Sequence, residues 1–322
     1  MTSLTGVPAV NRRHHGASSE AVAAAILVVF LAVAPFVLYP VFVMKALCFA
    51  LFACAFNLLI GYVGLLSFGH ALYFGWASYL AAYAAQSWAL SPGLAVMIGT
   101  ATAAGLGVIA GLVAIRRQGI YFAMITLALA QMMYLVALRA KLTGGEDGIQ
   151  LPSRGRLFGI LNLDNQMTMY AVVLVVVLAA LFLIYRIINS PFGEVLKAIR
   201  ENEQRAVSLG YRTDRYKLVA FVLSATLAGL AGSLKSIVFQ LASLTDVHWT
   251  MSGEVVLMTL VGGLGTIFGP VVGAFFIVAM ENYLAPLGQW VLVIQGAIFV
   301  LCVLLFRRGI VGELAHWLRA RL

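Results

Sequence analysis

SPFGEVLKAIRENEQRAVSLGYRTDRYK, residues Ser190 to Lys217, is a charged, helix-patterned stretch set between two long apolar runs. With Arg186 at its entry it carries seven Lys/Arg and four Asp/Glu, in a chain that is only 10% charged. Phe192, Val195, Leu196 and Ile199 fall at i, i+3, i+4 and i+7, which is one face of a helix. On the opposite face Lys197 and Glu201, then Glu201 and Arg205, stand four apart and are expected to pair. Ser190 and Pro191 form a helix start and Gly210 a stop. A chain that keeps such a rod outside an otherwise apolar body presents it to something soluble.

The rest of the chain makes that body a membrane one. Hydrophobic residues are 62% of the sequence and the mean hydropathy is +0.99, more apolar surface than a soluble domain of this size can bury. Apolar runs of about 20 residues, enough to cross a hydrocarbon core of about 30 Å, recur near 21–39, 41–60, 65–86, 92–115, 119–139, 167–188 and 216–241. A Gly-rich apolar region follows at 254–284 and a last run at 287–306. The fold class expected is an all-α polytopic membrane protein. It has about ten crossings if 254–284 passes in and out as two short segments, or eight if that region is re-entrant.

The distribution of Lys and Arg orients it. With the amino terminus inside, the inner segments hold Arg12, Arg13, Arg116, Arg117, the basic residues from Arg186 to Lys217, and Arg307, Arg308, Arg319 and Arg321. The outer loops hold only Arg139, Lys141, Arg154 and Arg156. Both termini are therefore expected in the cytoplasm: a tail at 1–20, a transmembrane domain at 21–306 containing a cytoplasmic loop at 189–217, and a basic tail at 307–322. Arg12 and Arg13 before an apolar run resemble a signal peptide. The small-residue site Ala32–Ala34 is followed by Pro35, however, and the run is long, so an uncleaved first span is expected.

The net charge of +9 follows from this bias and points to anionic lipid headgroups as neighbours, not to nucleic acid. Cys48, Cys54 and Cys302 all fall in spans without metal-ligand spacing and read as small core residues. Two Gly-rich strings interrupt the apolar sequence: GYVGLLSFGHALYFGWASY from Gly61 to Tyr79, and VGGLGTIFGPVVGAFF from Val261 to Phe276. Broken helices at membrane depth persist only where protein or a wet cavity receives their freed backbone groups. Gly61, Gly64, Gly69, Gly262, Gly263, Gly265, Gly269 and Gly273 are accordingly expected to be structural. Gly265, Gly269 and Gly273, like Gly107 and Gly111, have the four-residue spacing that lets backbones approach. Phe68-Gly69 and Phe268-Gly269 hint at a pseudo-repeat of the kind transporters have.

The strings NLLIGYVGLLSFGHALYFG, GIYFAMITLALAQ, LTGGEDGI, SPFGEVLKAIRENEQRAVSLGYRTDRYKLVAFVLSATLAGLAG and SGEVVLMTLVGGLGTIFGPVVGA run in order from Asn57 to Ala274. In them the sequence resembles the inner-membrane permeases of ABC importers for branched-chain amino acids, the LivM type. The ending IFVLCVLLFRRGIVG is also similar, with Arg307 where that family more often has Pro. The resemblance implies a type II ABC importer-like permease in the bacterial inner membrane. Its implied partners are a second homologous permease, ABC ATPase subunits that bind the ATP, and an extracytoplasmic substrate-binding protein. It also implies that Glu201, Asn202, Glu203, Ala206 and Gly210 lie in the loop that docks on the ATPase. Of the broader importer pattern EAA-xxx-G only Ala206 and Gly210 fit, because Gln204-Arg205-Ala206 stands before Gly210.

No phosphate-binding loop is encoded: the sequence has no Gly-Lys dipeptide, so no cofactor is expected in this chain and the energy comes from another subunit or an ion gradient. Asn57, Ser67, His70, Thr126, Gln131, Ser224 and Gln295 are candidates for a lightly polar pathway, interhelical hydrogen bonding being the other reading of each. His70 either lines the path or secures the broken helix. Lys45 and Lys235 are expected to snorkel toward headgroups, and Glu281 and Asn282 sit near a span end. Glu146 and Asp147, in the turn-rich LTGGEDGI, read either as a solvated turn or as a contact for an outer partner. The resemblance implies inward transport of Leu, Ile, Val or a similar small amino acid or amide, and the lack of a buried charge cluster suits a zwitterion on a lightly polar path. An ion-coupled secondary transporter of a small polar solute is the alternative; it needs a transmembrane carboxylate, which only Glu254 and Glu281 approach. No nucleophile–base or paired-carboxylate arrangement supports an enzyme.

Overall fold

The computed structural model describes residues 25, 27–157, 161–288, 290–305 and 309–317. The 1–20 tail, with Arg12 and Arg13, and the basic residues Arg307, Arg308, Arg319 and Arg321 lie outside them. The described residues are overwhelmingly helical: α1 (Leu27–Val37), α2 (Pro40–Ile60), α3 (His70–Ser87), α4 (Pro92–Ala114), α5 (Ile120–Arg139), α6 (Gln166–Ile188), α7 (Pro191–Glu201), α8 (Glu203–Ser208), α9 (Thr213–Phe239), α10 (Trp249–Gly262), α11 (Gly269–Leu284), α12 (Trp290–Leu305) and α13 (Gly309–Trp317). Among them α2, α4, α5, α6 and α9 are each long and apolar enough to cross a membrane, and α1, α11 and part of α12 are shorter apolar helices.

Helix α2 is apolar on every side, and a helix of that kind belongs inside a bundle. Its most apolar window is 89% buried and that of α9 is 67%, against 28% for each of α4, α5 and α6. Helices α6, α9, α10 and α11 surround α2, while α3 and α4 pack on α9. Lipid is as apolar as leucine, so close approach of backbones holds such helices together. A Cβ on Gly107 would lie 2.7 Å from Ala225 Cβ, one on Gly111 2.7 Å from Leu218 Cδ1, and one on Gly232 2.0 Å from the Phe74 carbonyl oxygen. The Gly107–Gly111 spacing thus works as expected, on the α4–α9 seam.

The region 254–284 forms an antiparallel hairpin, α10 packed on α11. At 14 and 16 residues the two arms are about 21 and 24 Å long. Helix α11 runs alongside α2. Lys45, early in α2, meets Glu281 at one end, and Asn57, late in α2, meets Thr266 at the other. The hairpin turn therefore reaches the same level as the end of α2. Only Gly269 and Gly273 of the three equally spaced glycines share a helix. Gly265 sits in the turn with φ +74°, so its small size serves a loop and not a helix seam.

The charged rod differs from its reading as one helix. Ser190 caps α7, accepting from the Gly193 N–H, and Pro191 opens it; Leu196 and Ile199 are buried on its apolar face. Gly210, at φ +90°, ends the run. Between them the helix breaks at Asn202, whose backbone is extended at φ −159° and whose side chain accepts from the Arg205 N–H, starting α8. An asparagine that captures a nearby N–H competes with helix continuation. Of the expected i,i+4 pairs, Glu201 and Arg205 are separated by this break, and Lys197 pairs with Glu194, at 2.8 Å, in place of Glu201.

At the end of the bundle away from the rod, the long connection after α5 is turned back on itself. Gly144, Gly145 and Gly148 all have positive φ, as the turn-rich LTGGEDGI suggests, and Glu146 and Asp147 are exposed. Strand β1 (Ile149–Gln150) then pairs antiparallel with β4 (Leu241–Ala242), just beyond α9. Arg154 donates to the Val238 carbonyl through Nε and Nη2, at 3.3 and 2.9 Å. A shorter pair, β2 (Arg156–Leu157) with β3 (Leu161–Asn162), completes the region.

Candidate functional site

The rod, the end of α2 and both Gly-rich strings meet at one place. The last turn of α2 presents Asn57, 3% exposed. Its Nδ2 donates to the Thr266 carbonyl at 2.8 Å, and its Oδ1 accepts from the Gly265 N–H at 3.0 Å. One amide therefore ties the α10–α11 turn to α2. The approach is so close that a Cβ on Gly61 would lie 2.9 Å from the Gly265 nitrogen. From α7, Arg200 Nη1 donates to the Gly61 carbonyl. An open recess of about 430 Å³ beside this junction is lined by Gly61, Tyr62, Lys197, Arg200, Glu201 and Gly265.

A second tie lies one residue past the break. Glu203 on α8 forms an ion pair with Lys217, at the start of α9, and accepts from Gln118, in the α4–α5 connection, at 2.8 Å. The Lys217 side chain is 3% exposed. The lower surface of the rod is apolar and open: Val207, Leu209 and Tyr211 are 54%, 71% and 41% exposed. Beside it an open groove of about 870 Å³ is lined by Pro191, Phe192, Glu194, Val195, Tyr211 and Tyr216, among others. Phe192 stacks on Tyr216 with ring centroids 5.7 Å apart.

The residues expected to dock are therefore not equivalent. Glu201 and Gly210 face outward, and a Cβ on Gly210 would meet nothing within 4 Å. Asn202 is exposed but spends its side chain on the Arg205 N–H. Glu203 is held by Lys217 and Gln118, and Ala206, 2% exposed, points into the chain's own packing.

Asn57, Ser67, His70, Thr126 and Ser224 are engaged in the protein's own hydrogen bonds. Buried His70 begins α3, with Nε2 2.8 Å from Ser224 Oγ, and Ser224 in turn donates to the Ala55 carbonyl at 2.6 Å. With the serine proton directed to Ala55, the Nε2-protonated tautomer of His70 completes this chain. Phe56, Tyr73 and Phe221 meet the imidazole edge to face. Ser67 Oγ accepts from the Gly69 N–H. Thr126 Oγ1 accepts from the Phe68 N–H at 3.2 Å and donates to Ala123. Thr126 also explains Gly69, where a Cβ would lie 2.9 Å from the Thr126 carbonyl. These contacts secure the broken start of α3 against α5 and α9. Gln131 is half-buried on α5 and stands apart from this set, and Gln295 is buried on α12.

Both span lysines are paired. Lys45 Nζ lies 3.2 Å from Glu281 Oε2 on α11 and over the Phe49 ring. Lys235 Nζ bonds both Asp246 oxygens at 2.8 and 2.6 Å with side chains 12% and 3% exposed. The bundle thus holds charge, paired, where none clustered in the sequence.

Packed apolar helices, two of them interrupted at glycine strings, and a polar rod clamped to the interruptions define a polytopic helical membrane protein. The chain belongs to the family described as branched-chain amino acid transport system / permease component, which matches residues 38–303. It is 26% identical over 277 residues to the high-affinity branched-chain amino acid transport system permease protein LivM of Escherichia coli K12, covering 79% of this chain and 65% of that relative. It is 29% identical over 173 residues to the ribose import permease protein RbsC of Bacillus subtilis, covering 51% of each. Over 104 residues it is 32% identical to the autoinducer 2 import system permease protein LsrC of Photorhabdus laumondii, covering 31% of each. The chain thus spans about two thirds of the length of the LivM proteins it matches. No solved structure matches it.

Proposed function

We propose that this chain is the permease subunit of an ABC importer in a bacterial inner membrane, carrying branched-chain amino acids or a similar small amino acid or amide inward. Separate ATPase subunits bind the ATP, a second homologous permease completes the pathway, and an extracytoplasmic binding protein delivers substrate. The observation that carries this reading is the rod, an exposed amphipathic segment that Arg200 ties to Gly61 at the end of α2, where Asn57 in turn holds the α10–α11 turn. An external motor that grips it gains access to the membrane core. The LivM relative, aligned over 79% of the chain against 51% for the ribose permease, favours amino acids over sugars. On this reading the ATPase meets Glu201, Gly210 and the apolar Val207–Tyr211 surface, while Ala206 and Glu203 shape that surface from within.

Ten crossings, α1 to α6 and α9 to α12, fit the hairpin turn lying level with the end of α2, and they return both termini to the cytoplasm. An exposed site on the rod reads the orientation. Ser208 is exposed, whereas Cys48, Cys54 and Cys302 are buried. Ser208→Cys should react with a membrane-impermeant thiol reagent in inverted vesicles and stay unlabelled in intact cells; the reverse pattern overturns the topology. Function is tested by reconstitution. With the assembled complex in proteoliposomes, uptake of radiolabelled leucine should require ATP on the rod side. Uptake by this chain alone under a proton or sodium gradient, without ATP, would instead make it an ion-coupled carrier.

A further inference from the structure

We infer that Arg200 is the coupling link through which movement of the rod reaches the interrupted helices, a role that rests on the ATPase-driven reading above. Arg200 occupies the last turn of α7, two residues before the break at Asn202. Its Nη1 donates to the carbonyl of Gly61, the C-cap residue of α2. That carbonyl lies at the negative end of the helix dipole, where a guanidinium is favoured and its hydrogen bond is charge-assisted.

The seat around it is made of glycine from both strings. A Cβ on Gly64, at φ +82°, would lie 3.2 Å from Arg200 Cγ, and one on Gly265, at φ +74°, 3.2 Å from Arg200 Nη1. The side chain therefore touches the segment between α2 and α3 and the turn between α10 and α11 together. Asn57 fastens that turn to α2, so the three pieces move as one when Arg200 moves. Glu203, across the break, holds α9 through Lys217 and the α4–α5 connection through Gln118, and α7 also rests on α9 through the stack of Phe192 on Tyr216. The rod has two handles separated by a hinge. Rotating α7 against α8, with Phe192 sliding over Tyr216, displaces α2 and the hairpin relative to the α4–α5 connection, a hinge motion in which one residue absorbs the backbone change.

The recess beside the guanidinium leaves space for it to swing. The test uses the full complex with Arg200→Ala and Arg200→Lys, reading three quantities: ATPase subunits retained on purification, the rate of ATP hydrolysis, and leucine transported per ATP. Arg200→Ala should retain the ATPase subunits and hydrolyse ATP, with transport per ATP reduced about ten-fold, within the range of ordinary coupling energies. Arg200→Lys keeps a cation that reaches the Gly61 carbonyl and should recover part of that ratio. An unchanged ratio in Arg200→Ala, whether both rates fall together or neither falls, overturns the inference, as does loss of the ATPase subunits from the complex. If the wild-type complex transports leucine without ATP, the underlying reading has failed instead, and that outcome is separately visible.

Discussion

Gly273→Val should all but remove the protein from the membrane. A Cβ at this position would lie 1.9 Å from the carbonyl oxygen of Met258 and 2.8 Å from the Gly262 nitrogen. Both are backbone atoms of α10, so no side chain can swing aside. The hairpin must open, and opening it pulls α11 from α2, to which it is attached at both ends by Glu281 and Thr266. Ordinary overpacking costs about 1–3 kcal/mol; here two backbones and a buried helix seam are displaced, and the cost is set above that range. The chain in the membrane fraction should fall by well over ten-fold, since about 1.4 kcal/mol already shifts an equilibrium ten-fold. Gly253→Ala provides the contrast. A Cβ there meets nothing within 4 Å, and alanine favours helix over glycine by about 1 kcal/mol, so that variant should accumulate normally. Equal amounts of Gly273→Val and Gly253→Ala on a quantitative immunoblot would refute the packing assigned to the hairpin.

Lys235→Met carries the second large effect. Asp246 is 2% exposed, and without Lys235 its carboxylate keeps only the Ser243 N–H, at 3.3 Å, from its present partners. Removing one member of a buried pair typically costs about 3–5 kcal/mol, because the other charge is left unpaired. The double variant Lys235→Met with Asp246→Asn removes both charges together. The purified single variant should melt well below wild type in detergent, with the double variant recovering at least half of the difference. If the double variant melts no higher than Lys235→Met, Asp246 is not the group that suffers and the pair is not energetically coupled.

The membrane class, the helical spans and the exposed rod were legible because hydropathy and periodicity are local properties. The helix start at Ser190 and Pro191, the stop at Gly210 and the Gly107–Gly111 seam all emerge as read. What could not be seen is who faces whom. Asn57 holds a turn 209 residues away, and Lys45 finds Glu281 at a separation of 236; hydropathy records depth in the bilayer and nothing about neighbours. The break at Asn202 was hidden for another reason. The charge spacing on either side suits a continuous helix, and only the capture of the Arg205 N–H by the asparagine side chain decides against it. Nothing in the sequence set Arg200 apart from its charged neighbours, and Gly64 and Gly265 stood among the structural glycines. The signal was their combination, which no local window contains.

The β1–β4 ladder at the end away from the rod has a consequence for how that surface behaves. Because Ile149 and Gln150 are stitched to Ala242 and Leu241 and Arg154 grips the last turn of α9, two connections far apart in sequence form a single stiff plate. Proteases presented to that side should find it resistant, and a tag inserted near Gln150 should disturb the exit of α9 as well as its own loop. A visiting protein would land there on a prefabricated platform, with little ordering entropy left to spend.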